Sequence, residues 1–337
     1  MNKQRVVKFF FIIFFLWYVS TPVFVFAQSQ EELLLFEGEL FAGHRVLTVK
    51  DIRPVSISAI DLGKDGLKEL IIGASPGTDP RVMLLRYDGS MLNSFYAYPK
   101  AMRGGVSVAV GDLDGDEKQE IITIPASDGH PQVKVFNSFG KELRSFYAFD
   151  KQQVGEYAIA VANVSGDKKP EIIVFTGRGL MPRIAVFDSQ GKRIDMKINS
   201  SGLNVSGLVV SPIDLGSDGV SEIVVANRVH EKGTIRIIRG DGTEVSSFSA
   251  FESNESGVVS IGAFDVVGDA KEEILVLISK QNEHLLKIFD GFGVVQSSFP
   301  LTGITSDMAQ SFLYTSLKGV VFPELIVYDS LVPQPIL

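Results

Sequence analysis

The sequence predicts an all-β fold: a β-propeller of six four-stranded blades, each 51 residues long, closed by pairing of the N- and C-terminal strands. Three observations predict it. Glutamates recur every 51 residues, at Glu69, Glu120, Glu171, Glu222, Glu273 and Glu324. Two further series keep the same register without insertion or deletion. One is Gly89, Gly140, Gly191, Gly242 and Gly293, extended backwards by Gly38; the other is Asp61, Asp112, Asn163, Asp214 and Asp265. Finally, each unit reads as four short β-prone runs separated by turn residues. A lone sheet of this kind cannot bury both faces, whereas a ring of them buries each against the next.

The chain opens with a basic start at Lys3, Arg5 and Lys8, an apolar run over Phe9 to Tyr18, a helix-breaking Pro22 and the short-side-chain pattern Val25-Phe26-Ala27. This order predicts a signal peptide over 1–27, with an uncleaved signal anchor as the other reading, and a propeller over 28–337. No later apolar run is long enough for a membrane span.

The second unit is the clearest. Val106–Val110 suits a strand buried on both faces, and Glu120–Ile124 is rich in β-branched residues. Gln132–Phe136 alternates like a half-exposed strand, and Glu142–Phe149 supplies a fourth with Phe146, Tyr147 and Phe149. These aromatics recur at the repeat period (Phe95-Tyr96-Tyr98 before them, Phe248 and Phe251 after), which assigns them to the core between blades in preference to a sugar-stacking platform. In register, Glu31–Phe36 aligns with the third strand, and the C-terminal Pro335-Ile336-Leu337 with the start of that strand. The N-terminal segment is therefore expected to supply strands three and four of a blade whose strands one and two lie at the C-terminus.

The loop before each second strand carries the chemistry. The second loop runs Asp112-Leu113-Asp114-Gly115-Asp116-Glu117-Lys118-Gln119-Glu120, with oxygen side chains at positions 1, 3, 5 and 9. Calcium takes six to eight oxygen ligands, so the expected set is Asp112, Asp114, Asp116, the Lys118 carbonyl and Glu120. The other loops grade away from this pattern: Asp61, Asp65 and Glu69; Asn163, Ser165, Asp167 and Glu171; Asp214, Asp218 and Glu222; Asp265, Asp269 and Glu273. The sixth keeps only Glu324 and is expected to hold no metal. The competing reading is an ordinary Asp-Gly turn in which each aspartate bonds its own backbone and the glutamate caps exposed amides. Each loop has a glycine at position 4 or 6, which suits a backbone with positive φ in either case.

The run Asp112-Leu-Asp-Gly-Asp followed by Glu120-Ile121-Ile122 resembles the FG-GAP or VCBS-type repeat, and Gly73-Ala74-Ser75-Pro76-Gly77, Pro80-Arg81-Val82 and Ser145-Phe146-Tyr147-Ala148-Phe149 resemble a bacterial exported variant of it. The resemblance covers nearly all of the chain after the leader. It implies a propeller of the kind found in integrin α-subunits, with calcium loops on the rim. Members occur in adhesins, sugar-binding proteins and some polysaccharide lyases.

Charge and composition narrow the function. With 32 basic against 40 acidic residues, the overall field does not favour nucleic acid. The absence of cysteine excludes disulfides, thiolate metal sites and a cysteine nucleophile. His44, His130, His230 and His284 share no register, and no nucleophile-elbow or zinc-helix pattern is present. The expectation is an exported, monomeric, calcium-binding scaffold without catalysis, holding a protein or glycan at the cell surface. The alternative is a polysaccharide lyase or hydrolase with a site on one propeller face.

Overall fold

The computed structural model describes residues 23–25, 33–35, 45–47, 54–86, 90–196, 198, 202–228, 234–251, 256–265, 271–280, 283–301, 311–315 and 324–328. Five antiparallel sheets of four strands follow one another along the chain, each in simple up-and-down order. The first blade is Pro54–Ile60, Glu69–Ala74, Arg81–Leu85 and Met91–Tyr96. The second is Val106–Gly111, Glu120–Pro125, Gln132–Phe136 and Glu142–Tyr147. The third is Tyr157–Ala162, Glu171–Thr176, Ile184–Phe187 and the two-residue Arg193–Ile194. The fourth is Leu208–Ile213, Glu222–Asn227, Thr234–Ile238 and Glu244–Ser249. The fifth is Ser256–Phe264, Glu273–Lys280, Glu283–Phe289 and Val295–Leu301.

The burial gradient explains the strand types. Second strands such as Glu120–Pro125 are buried throughout, whereas fourth strands such as Glu142–Tyr147 alternate between half-buried and exposed positions. Four aliphatic cores fill the four seams between consecutive blades. In the seam between the second and third blades, Ile122, Ile124, Val133 and Val135 meet Tyr157, Ile172 and Val174. Phe149, expected in the fourth strand, lies beyond it in the connection to the next blade; it is buried and stacks on Tyr157 with centroids 6.0 Å apart.

Three seams are also locked on their outer side. Phe95 of the first blade tilts against Phe136 of the second, Phe146 against Phe187, and Phe248 against Phe289, with centroids 4.9, 4.9 and 5.0 Å apart. Each phenylalanine also covers a glycine of the next blade's outer turn: Gly140, Gly191 or Gly293.

The six-bladed expectation is corrected to five. Ser311–Thr315 pairs with Glu324–Tyr328 as first and second strands should, and Thr315 faces Glu324 as Gly111 faces Glu120. The next place in that sheet, however, is taken by Val23–Val25 running parallel to Glu324–Ile326. A parallel partner cannot continue an up-and-down meander. Leu33–Leu35, expected there as a third strand, pairs instead with Arg45–Leu47 as a separate two-stranded hairpin. The terminal strands thus form a three-stranded and a two-stranded sheet rather than a sixth four-stranded blade. Ser311–Thr315 lies between the first strands of the fifth and first blades, which brings the ends of the series together. No helix among the described residues is long and apolar enough to cross a membrane.

Candidate metal centre

The acidic loops join first to second strands, so all of them emerge at one end of the blades. Each described loop curls through two residues of positive φ. In the second loop these are Gly115 at +80° and Glu117 at +67°; the others use Lys64 and Gly66, Gly166 and Lys168, and Ser217 and Gly219. Positions 4 and 6 are therefore both left-handed in the first four loops, and glycine relieves only some of them.

This curl points backbone amides inward at the aspartates. Asp112 accepts from Gly115 N at 2.7 Å and Glu117 N at 2.8 Å, Asp114 from Asp116 N at 3.2 Å, and Asp116 from Lys118 N at 2.8 Å. Each carboxylate is held in place before any ligand arrives. One oxygen from each of Asp112, Asp114 and Asp116 lies within 4.8 Å of the others. Asp112 is half-buried and the other two are exposed.

Lys118 supplies a cation to this group: its Nζ donates to Asp116 Oδ2 at 2.7 Å. That contact holds the Asp116 carboxyl below the usual carboxylate range and lifts the Lys118 ammonium above its own. Both side chains are well exposed, so the pair is weak and easily exchanged. The donor set fits a hard cation, with pre-oriented carboxylate oxygens at the tip of a tight loop and only a surface ammonium to displace. If the loop takes calcium, substituting Lys118→Met, which leaves its carbonyl in place, should tighten the binding several-fold in a titration, because the ion no longer competes with the ammonium. Unchanged affinity would mean that the ion does not use Asp116.

Glu120 stands apart from the three aspartates. Its Oε2 accepts from Leu113 N at 2.9 Å, and its side chain is buried. Burial, opposed by that backbone hydrogen bond and reinforced by the neighbouring aspartates, pushes its carboxyl up. Glu69 accepts from Leu62 N at 2.9 Å in the same way. Glu171 accepts from Val164 N at 2.8 Å, from Ser165 N at 3.1 Å and from the Ser165 hydroxyl at 2.6 Å. These glutamates cap the loop backbone, a role that does not require a metal.

The first, third and fourth loops share the turn but not the cluster. Asp61 accepts from Asp65 N and Gly66 N, and Asp65 from Leu67 N. Asn163 accepts from Gly166 N, and Asp167 from Lys169 N. Asp214 accepts from Asp218 N and Gly219 N, Asp218 from Val220 N, and one oxygen of Glu222 is buried without a hydrogen bond. Asp265 and the buried Glu273 are described, but Asp269 lies outside the described residues. Among the described residues, only the second loop gathers three carboxylates.

Two features went unread in the sequence. Position 2 is aliphatic in all five loops (Leu62, Leu113, Val164, Leu215 and Val266), a series at the same 51-residue period. Leu113 is fully buried in the core between the second and third blades, so it plugs the loop into the fold. Glu272 was also missed. It reaches from the fifth loop to accept from Asp214 N of the fourth at 2.8 Å, and burial pushes its carboxyl up. A salt bridge from Lys64 to Glu117 and a hydrogen bond from Asn163 Nδ2 to Gly219 O tie other neighbouring loops together. At the opposite end of the blades, Arg103 pairs with Asp79 and Arg228 with Glu156.

No family model and no curated protein matches the chain. Solved structures resemble it in shape. The biofilm matrix protein Bap1 of V. cholerae is 15% identical over 94% of this chain and 88% of its own, with a TM-score of 0.42. The Dos1 propeller is 13% identical over 77% of this chain and 62% of its own, at 0.48. A rhamnogalacturonan lyase from Bacillus licheniformis is 14% identical over 89% and 80%, at 0.44.

Proposed function

We propose that this chain is an exported propeller of the FG-GAP or VCBS type, in which calcium at the acidic loops stiffens a scaffold that holds a protein or glycan ligand at the cell surface. The observation that supports it is the group of three backbone-fixed carboxylates, Asp112, Asp114 and Asp116, at one loop tip. These residues, with the Lys118 carbonyl, would hold the ion. Bound calcium would neutralise charges that repel one another in the folded protein. The leader pattern of residues 1–27 supports export.

Calorimetry in calcium and in chelator tests the reading. A ligand at about 100 times its Kd adds about 2.7 kcal/mol of stability per site. The melting temperature should therefore rise with calcium, and Asp114→Ala should remove more of the rise than Lys318→Ala in the sixth loop. Magnesium should substitute poorly, because it demands a smaller octahedral shell. Identical melting curves in calcium and chelator would leave the loops as bare Asp-Gly turns.

A further inference from the structure

The end of the first blade opposite the acidic loops carries a cationic and aromatic patch that neither the fold nor the metal loops use. Arg81 opens the third strand and pairs in register with Tyr96, the last residue of the fourth. The Arg81 guanidinium lies 5.3 Å from the Tyr96 ring centroid and donates to its hydroxyl at 3.1 Å. From the following connection, Lys100 Nζ lies 4.4 Å from the same centroid. Arg103, paired with Asp79, adds a third cation nearby in sequence. Tyr96, expected from the repeat to lie in the core between blades, is instead exposed, and alternation along its strand puts the exposed Ser94 and Leu92 on the same face.

The repeat shows which of these residues the fold requires. Where the first blade has Arg81, Tyr96, Lys100 and Arg103, the second has Gln132, Tyr147, Lys151 and Val154, and the third has Arg183, Ile198, Gly202 and Val205. The fourth has Thr234, Ser249, Ser253 and Ser256. The blades fold without this combination; in the sequence only the first blade joins a tyrosine with three cations, two of which, Arg81 and Lys100, lie over its ring.

We propose that this patch binds a carboxylated saccharide chain, a ligand class that deepens the scaffold reading above and rests on it. On a chain of net charge −8, an isolated cationic patch selects an anionic partner by charge complementarity. An exposed ring asks that partner for a flat C–H face as well. A uronate unit offers both on one rigid ring: a carboxylate for the arginine and lysine, and an apolar face for the tyrosine. An acidic peptide carries its carboxylates on flexible stems without such a face.

The test is calorimetric titration of the full chain with hexamers of galacturonate, glucuronate or mannuronate, in chelator so that calcium cannot bridge ligand to loop. At least one hexamer should bind. Arg81→Gln with Arg103→Val, which installs residues the second blade already carries, should weaken it about tenfold, as should Lys100→Gly, borrowed from the third blade. The carboxyl-reduced hexamer should not bind. The proposal falls if no hexamer binds, if the reduced form binds equally, if both variants bind like the parent, or if a glutamate hexapeptide binds as tightly. Because chelator is present throughout, failure here leaves the calcium-dependent melting result standing, and the reverse holds too.

Discussion

Replacing Gly140 by valine should destabilise the protein by about 3 kcal/mol or more. Gly140 has φ of +80°, and a Cβ there would sit 2.6 Å from Phe95 Cγ and 2.7 Å from its Cδ1. A left-handed β-branched residue costs about 1–2 kcal/mol by itself. Displacing Phe95 from Phe136 adds an overpacking term of about 1–3 kcal/mol. Gly115→Ala is the control. Its φ is also +80°, but nothing lies within 4 Å of its Cβ position, so only the backbone term should appear. Denaturant melts of both variants check this. Equal losses would mean that Phe95 yields without resistance, and that the outer turn does not gauge the fit between blades.

Leu113→Ala should cost about 2–5 kcal/mol and blunt the proposed response to calcium as well. The side chain is fully buried among Ala109, Ile122 and their neighbours, and its backbone amide is the one that Glu120 caps. Truncation leaves a cavity directly beneath the loop that positions Asp112 and Asp114. The rise in melting temperature on adding calcium should therefore shrink, although no carboxylate has been touched. A variant that loses less than about 1 kcal/mol, or keeps the whole calcium increment, would show that the loop holds its shape without the plug.

Much of the blade was legible because the repeat made it so. The expected strands at Val106–Val110, Glu120–Ile124 and Gln132–Phe136 agree with the structure to within one residue at either end. The blade count was not legible, for a physical reason. Whether Leu33–Leu35 or Val23–Val25 lies beside Glu324–Ile326 is a choice between short apolar runs far away in the chain, and local pattern does not rank such partners. At the site, spacing identified Asp112, Asp114 and Asp116. It offered Glu120 both as a fifth ligand and as a cap on exposed amides, and in the structure the buried side chain accepts from Leu113 N. The apolar second position was visible at the same period, but its meaning emerges only once Leu113 is seen beneath the loop.

The aromatic locks are not spread evenly, and the ring inherits a direction from that. Between the third and fourth blades, Ile238 stands where the others have Phe136, Phe187 or Phe289, and the sequence has Lys197 in place of Phe95, Phe146 or Phe248. The third blade's outermost strand is also only Arg193–Ile194. This joint is held by its inner aliphatic core, around Ile173, Val186, Leu208 and Val225, and by polar ties from Asn163 to Gly219 and from Glu156 to Arg228. Of the four seams between the described blades, this is the one without an aromatic clasp, so opening under heat or pull should begin there, between the three blades that include the carboxylate cluster and the two that follow.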